Sequence, residues 1–210
     1  MREKDTGFRS TPDRVLEQAV TVLAQVDEGA PFQSLIEAGE NGRIVQNSVL
    51  AILRHRAVID WITDRCAARP VRPRLRRVLR WGVAQMLYLH GLASAAATDT
   101  CVRFVRRKYS VEEAGFVNAV LRRIAGQAPE PLLAEVQQHA PTPVRLELGE
   151  VLYRQWSPRR TPEELEELCR ILLEPAPLTV RLRAGAPLPE LPFLTPLAPL
   201  PWAPSARMWV

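Results

Sequence analysis

The stretch RLRRVLRWGVAQMLYL, Arg74 to Leu89, decides the fold. Read at helical period, Leu75, Val78, Leu79, Gly82, Val83, Met86 and Leu89 gather on one arc, while Arg74, Arg76, Arg77 and Arg80 occupy the other. This is a helix with one face made for a core. Its other face is cationic: Arg69, Arg72, Arg74, Arg76, Arg77 and Arg80 fall within twelve residues that contain no acid. Solvated helix faces ordinarily mix signs. The run therefore reads as a phosphate-contacting patch, because the guanidinium fork grips phosphate oxygens in pairs. Trp81 and Tyr88 fall toward the arginine side, where rings can stack on unpaired bases.

The flanking segments are also helical. In STPDRVLEQAVTVLAQVDEG, Thr11 is an N-cap, Pro12 opens the helix, Gly29 stops it, and Val15, Ala19, Val22, Leu23 and Val26 form the buried stripe. A short helix over about 31–38 ends at GENG. Residues 43–70 predict two helices joined near His55, with Ile44, Val49, Ile52, Leu53, Ile59 and Ile62 inward. Ser94 caps the next helix, which runs to Lys108 and carries Arg103, Arg106 and Arg107 on one side. In SVEEAGFVNAVLRRIAG, Ser110 and Glu113 form a capping box, and Phe116, Val117, Val120, Leu121 and Ile124 form the apolar arc. Asn118 shares another side with Arg122. It is expected to hydrogen-bond a loop backbone and so hold the helix, leaving Arg122 and Arg123 to face a polyanion. Residues 9–127 thus predict an all-α bundle of about seven helices.

Beyond Gln127 the character changes. Residues 128–184 read as a proline-punctuated connector with two helices, near Val144–Trp156 and Pro162–Leu173, and one strand in PLTVRLR. Residues 185–210 hold seven prolines, too many for a helix or a central strand, and are expected to be poorly ordered. Charge divides in the same place. Residues 1–127 carry 20 Lys+Arg against 13 Asp+Glu, whereas residues 128–210 carry 8 against 10. Any polyanion partner should therefore bind the first part.

The remaining composition narrows the chemistry. No apolar run approaches the roughly 18 residues of a membrane span, and the first residues lack a signal peptide's apolar centre, so a cytoplasmic location with no membrane partner is expected. Cys66, Cys101 and Cys169 are few, odd in number and far apart, which suits reduced thiols. His55, His90 and His139 have no carboxylate or cysteine at ligand spacing, so neither metal nor cofactor is expected.

Three motifs in order, ILRHRAVIDWI (52–62), RLRRVLRWGVAQMLYLHGLASAA (74–96) and GFVNAVLRRI (115–124), resemble the NusB-type helical domain. They are most similar to the version at the N-terminus of bacterial ribosomal-RNA cytosine-C5 methyltransferases of the RsmB (Sun/Fmu) family. LLEPAPLTVRLR resembles the connector of that family, so the likeness covers about 9–183. It implies two packed three-helix units with a seventh helix and RNA binding, to ribosomal or boxA-like RNA. It also implies a protein partner from the transcription-antitermination or ribosome machinery. The RNA-binding residues expected are Arg72, Arg74, Arg76, Arg77, Arg80, Arg103, Arg106, Arg107, Lys108, Arg122 and Arg123, with Asn118 structural. The chain departs from the family pattern where Thr100 and Arg103 stand in place of typical acids and Arg183 replaces an asparagine. It contains no Gly-rich adenosylmethionine loop and no Pro-Cys pair, so no catalytic residue is expected, covalent attack on a cytosine requiring a placed thiol. The catalytic half of a methyltransferase would then lie elsewhere.

Overall fold

The computed structural model describes residues 11–35, 40–89, 91–174, 178–181 and 206–209. The chain divides into two compact units, residues 1–166 and 167–210, and the first is an all-α bundle. Helix α1 (Thr11–Asp27) stops before Gly29, whose φ of +97° is a left-handed conformation open to glycine without steric cost. A 3₁₀ turn follows at Phe32–Leu35; residues 36–39, where the short second helix was expected to end, lie outside the described residues. Helix α2 (Glu40–Arg54) begins inside the GENG expected to separate helices, and α3 (Arg56–Cys66) follows after the expected break at His55.

Helix α4 (Pro73–Ala84) opens on a proline at its first turn and continues as a π-helical turn, Gln85–Leu89. It packs against α1, α2 and α3 and against the hairpin of α5 (Ser94–Lys108) and α6 (Val111–Ala125). The apolar arc read from sequence is the core, with Val78, Leu79 and Val83 fully buried beside Leu16, Leu23, Ile52, Ile59, Ile62 and Leu121. Gly82 marks the closest crossing: a Cβ there would lie 3.0 Å from Leu121 Cδ2 and 3.1 Å from Cys101 Sγ. Ile44, expected inward, is 42% exposed, and its neighbour Val45 takes the core position. Ser94 is the first residue of α5 rather than its cap, a place taken by Ala93 without a side-chain bond. At α6 the Ser110 hydroxyl does accept from the Glu113 amide, at 3.1 Å. The Glu113 carboxylate, however, turns away from the cap toward two arginines.

The segment read as a proline-punctuated link is a helix. Pro129 opens α7 (Pro129–His139), and Leu132, Val136 and Ala140 join the same core as α1–α6. The compact unit thus runs past Gln127, where charge and prolines suggested a boundary. The single helix expected over 144–156 is two, α8 (Thr142–Arg145) and α9 (Glu150–Trp156). They separate where Glu147 takes a φ of +52°, rare for a residue with a side chain, and its carboxylate meets His55 Nδ1 at 2.5 Å. Tyr88, on the π-helical turn, stacks on the His55 ring at 3.8 Å. Helix α10 (Pro162–Leu173) starts on a reciprocal capping box between Thr161 and Glu164.

In the second unit the expected strand is not alone. Strand β1 (Leu178–Arg181) pairs antiparallel with β2 (Ala206–Trp209), in a register that sets Leu178 opposite Trp209 and Arg181 opposite Ala206. Residues 185–205 and Arg183 lie outside the described residues, as does His90.

Candidate nucleic-acid interface

The arginines of α4 do not form a free cationic face. Each finds an acid on a neighbouring helix. Arg80, 5% exposed, donates from Nε and Nη2 to the two oxygens of Asp60 at 2.8 Å each, with Asp27 also 3.7 Å from its guanidinium. Arg76 forks onto Asp64 and lies 3.6 Å from Asp60, and Arg77 donates to Asp27 at 2.9 Å. Arg56 on α3 reaches the same Asp27. The result ties the end of α1 to α3 and α4 through charges that nearly cancel. Trp81, offered as a stacking platform, is buried inside the bundle, and Tyr88 spends its face on His55. Arg80 and Trp81 are thus removed from any surface: α4 is the central helix, and the C-terminal half of its polar arc is largely covered by paired acids.

A second group surrounds the start of α6. Arg72 and Arg74 both donate to Glu113 Oε1, at 3.0 and 2.7 Å, while Arg69 donates to Glu112. Arg69 lies over the Phe116 ring and Arg74 over Tyr109. Hydrogen bonds from Arg74 foremost, and from Arg72, hold the Glu113 carboxyl below the usual carboxylate range. These three guanidinium groups are about half or more exposed, but their charge is already partly matched.

The α5–α6 hairpin is different. Arg103 pairs with Asp99 and Asp13, and Arg107 approaches Glu17 at 3.9 Å. Arg106, Lys108, Arg122 and Arg123 are exposed and make no ion pair among the described residues. Arg106 and Arg122 border a groove of about 820 Å³ between the two helices, with Asn118 half-buried in it and Thr98, Val102 and Ala125 on its walls. The amide of Asn118, expected to hold a loop backbone, has no hydrogen-bond partner among the described residues. Arg123 faces the other way, into a hollow with Cys66, Trp61 and Glu135, where burial pushes the Cys66 thiol up and away from reactivity.

The structure therefore sorts the expected residues by what their neighbours do to their charge. Sequence reading treated all as one class and missed the groove walls Thr98, Val102 and Ala125 altogether. The helical wheel does place Asn118 and Arg122 on one side, but nothing in a single helix announces which residues of α5 will face them.

Among the described residues no cluster of His, Cys, Asp and Glu is placed to hold a metal, and no helix is long and apolar enough to cross a membrane. A family model described as the NusB family matches residues 13–126, more than half of the chain. No curated protein matches it.

Proposed function

The chain belongs to the NusB family, and from that premise we propose that it is an RNA-binding protein, with ribosomal RNA as its target class and no catalytic site of its own. The observation that carries this reading is the hairpin of α5 and α6, where Arg106, Lys108, Arg122 and Arg123 stand exposed without acidic partners among the described residues. A cation already matched by a carboxylate gains little from a phosphate. An unmatched one releases condensed counterions when it binds, and that release dominates RNA affinity and makes it salt-dependent. The binding surface is accordingly the hairpin, with Arg72 and Arg74 at its rim, and not Arg76, Arg77 or Arg80.

The test is charge reversal. Changing Arg106, Lys108 and Arg122 together to Glu should weaken RNA binding by at least about tenfold. It should also flatten the salt dependence, by roughly one unit of slope for each phosphate that is no longer neutralised. Reversing Arg154, which is exposed on α9 but paired with Glu150, should change neither. Equal affinities of triple variant and wild type in filter binding would reject the assignment.

A second reading has one feature of its own. β1 falls at the segment that resembles the connector of the cytosine-C5 methyltransferases, and supports a role as the accessory RNA-binding half of an adenosylmethionine-dependent rRNA methyltransferase. The genomic sequence that follows the codon for Val210 decides it: an in-frame adenosylmethionine loop there would favour the enzyme. A hold on a transcription or ribosome factor is the third reading, and fits the family equally.

A further inference from the structure

We propose that Glu147 is a clasp that switches the segment 142–156 between two states. Held by His55, the segment is broken into α8 and α9; released, it joins into one continuous helix. Such a clasp stands apart from the RNA-binding reading and does not depend on it.

The break is built at one residue. Leu148 donates its amide to the Pro143 carbonyl at 2.9 Å, and Glu147 donates to that of Val144 at 3.0 Å. Together these bonds close the end of α8 in the pattern whose left-handed position usually falls to glycine. Here it falls to Glu147, with its φ of +52°, the one residue other than glycine among the described residues to take a positive φ. A glycine stands two places on, at Gly149, where φ is −62° and any residue fits. The strained place is therefore given to a side chain that is used. The Glu147 carboxylate accepts from His55 Nδ1 at 2.5 Å, and both side chains are more than four-fifths buried. The imidazole is itself fixed, its ring lying within 3° of parallel to that of Tyr88 on the π-helical turn. Strain of this kind persists only where the surroundings hold it.

What the segment does without the clasp follows from its own sequence. Val144, Leu148 and Val151 recur at helical spacing, and Leu146, Glu147, Glu150, Leu152 and Arg154 are good helix formers. The local pattern asks for a single helix over 144–156, and a tertiary contact denies it. Little on α9 opposes joining: none of its residues is buried, and Val151 is 70% exposed. Leu148 is buried at the turn and sides with the clasp. Any partner that takes the His55 imidazole or the Glu147 carboxylate for itself shifts the balance toward the joined helix.

Amide exchange resolved by NMR on the full chain reads the two states. The amides of Gly149, Glu150, Val151 and Leu152 precede the first helical bond of α9, which Tyr153 gives to the Gly149 carbonyl. In a joined helix each would have a carbonyl four residues back. Glu147→Ala removes the carboxylate and leaves the left-handed turn unsupported. His55→Phe keeps a ring against Tyr88 and removes the donor. Both should slow exchange at these four amides by at least about tenfold, the mark of a newly closed hydrogen bond. Glu147→Gly loses the carboxylate but takes the positive φ without strain, so its four amides should exchange as fast as in wild type. A contact that only props up the turn gives another result, faster exchange across 142–156 in all three variants. Unchanged or faster exchange in Glu147→Ala or His55→Phe overturns the proposal, as does slowing in Glu147→Gly equal to that in Glu147→Ala. The core amides of Leu79 and Leu121 should be unaltered in each variant. Loss of their protection would make Glu147 a support of the whole bundle and overturn the clasp as well.

Discussion

Arg80 carries its charge inside the protein, and its role follows from what it leaves behind when removed. Arg80→Ala would strand the Asp60 carboxylate, about three-quarters buried, with a weaker partner in Arg76 at 3.6 Å. Breaking a buried pair by removing one partner costs about 3–5 kcal/mol, and with Arg76 left nearby urea denaturation should show a loss toward the lower end of that range with an unchanged slope. Glu113 supplies the pH dependence. Its folded value lies below the ordinary 4.5, so its ion pairs stabilise the fold fully above that value and lose their effect as pH falls through the lower folded one. Wild type should therefore lose stability as pH falls below 4.5, and Glu113→Gln should lose less over the same interval in pH-stepped thermal melts. That Arg80 and Arg76 are structural was not legible in the sequence. Periodicity sorts residues to one side of one helix, and the acids that meet this side, Asp27, Asp60 and Asp64, come from α1 and α3. Asn118 stands out from its position alone, and the groove it faces depends on α5.

Among the elements, α4 is legible in extent and in its apolar arc, because the helical pattern is local. Its status as the central helix is not, because an amphipathic pattern normally marks a surface helix, and here paired charges let Arg80 on the polar arc be buried too. Gly82 shows how closely it is enclosed. Alanine would improve helix propensity by about 1 kcal/mol. Its methyl, however, would meet Leu121 and Cys101, both fully buried, at 3.0–3.1 Å, inside ordinary contact. Overpacking typically costs about 1–3 kcal/mol, so Gly82→Ala is expected to lower the melting temperature despite the better helix former. The α7 segment misleads for the opposite reason: its prolines bracket a helix instead of breaking one.

For the whole molecule, the division of charge and the division of packing fall in different places. The basic part ends near Gln127, while the compact unit continues to Glu166. A chain shortened to residues 11–127 keeps every residue of the hairpin but loses Leu132 and Val136 from the core. Each is worth about 1.5–3 kcal/mol when fully buried, so the shortened chain should be at least about 3 kcal/mol less stable than residues 11–166 in denaturant titration. Its RNA affinity, measured below its unfolding transition, should stay within about twofold. The paired strand of the second unit is half visible in the sequence. Alternation marks β1, but its partner begins only at Ala206, past a proline-rich stretch, and pairing at that separation leaves no local signature.

The same forked pairs bear on how this sequence can drift. Of its 28 basic residues only Lys4 and Lys108 are lysine. An abundance of arginine is the usual mark of a GC-rich genome, where arginine codons accumulate without selection for the side chain. At Arg76 and Arg80 that explanation is insufficient, since each uses two nitrogens on one carboxylate and a lysine ammonium cannot reproduce the fork. Relatives from AT-rich genomes should therefore show lysine freely at positions such as Arg106 and Arg123, while keeping arginine at Arg76 and Arg80 or losing Asp60 and Asp64 together with it.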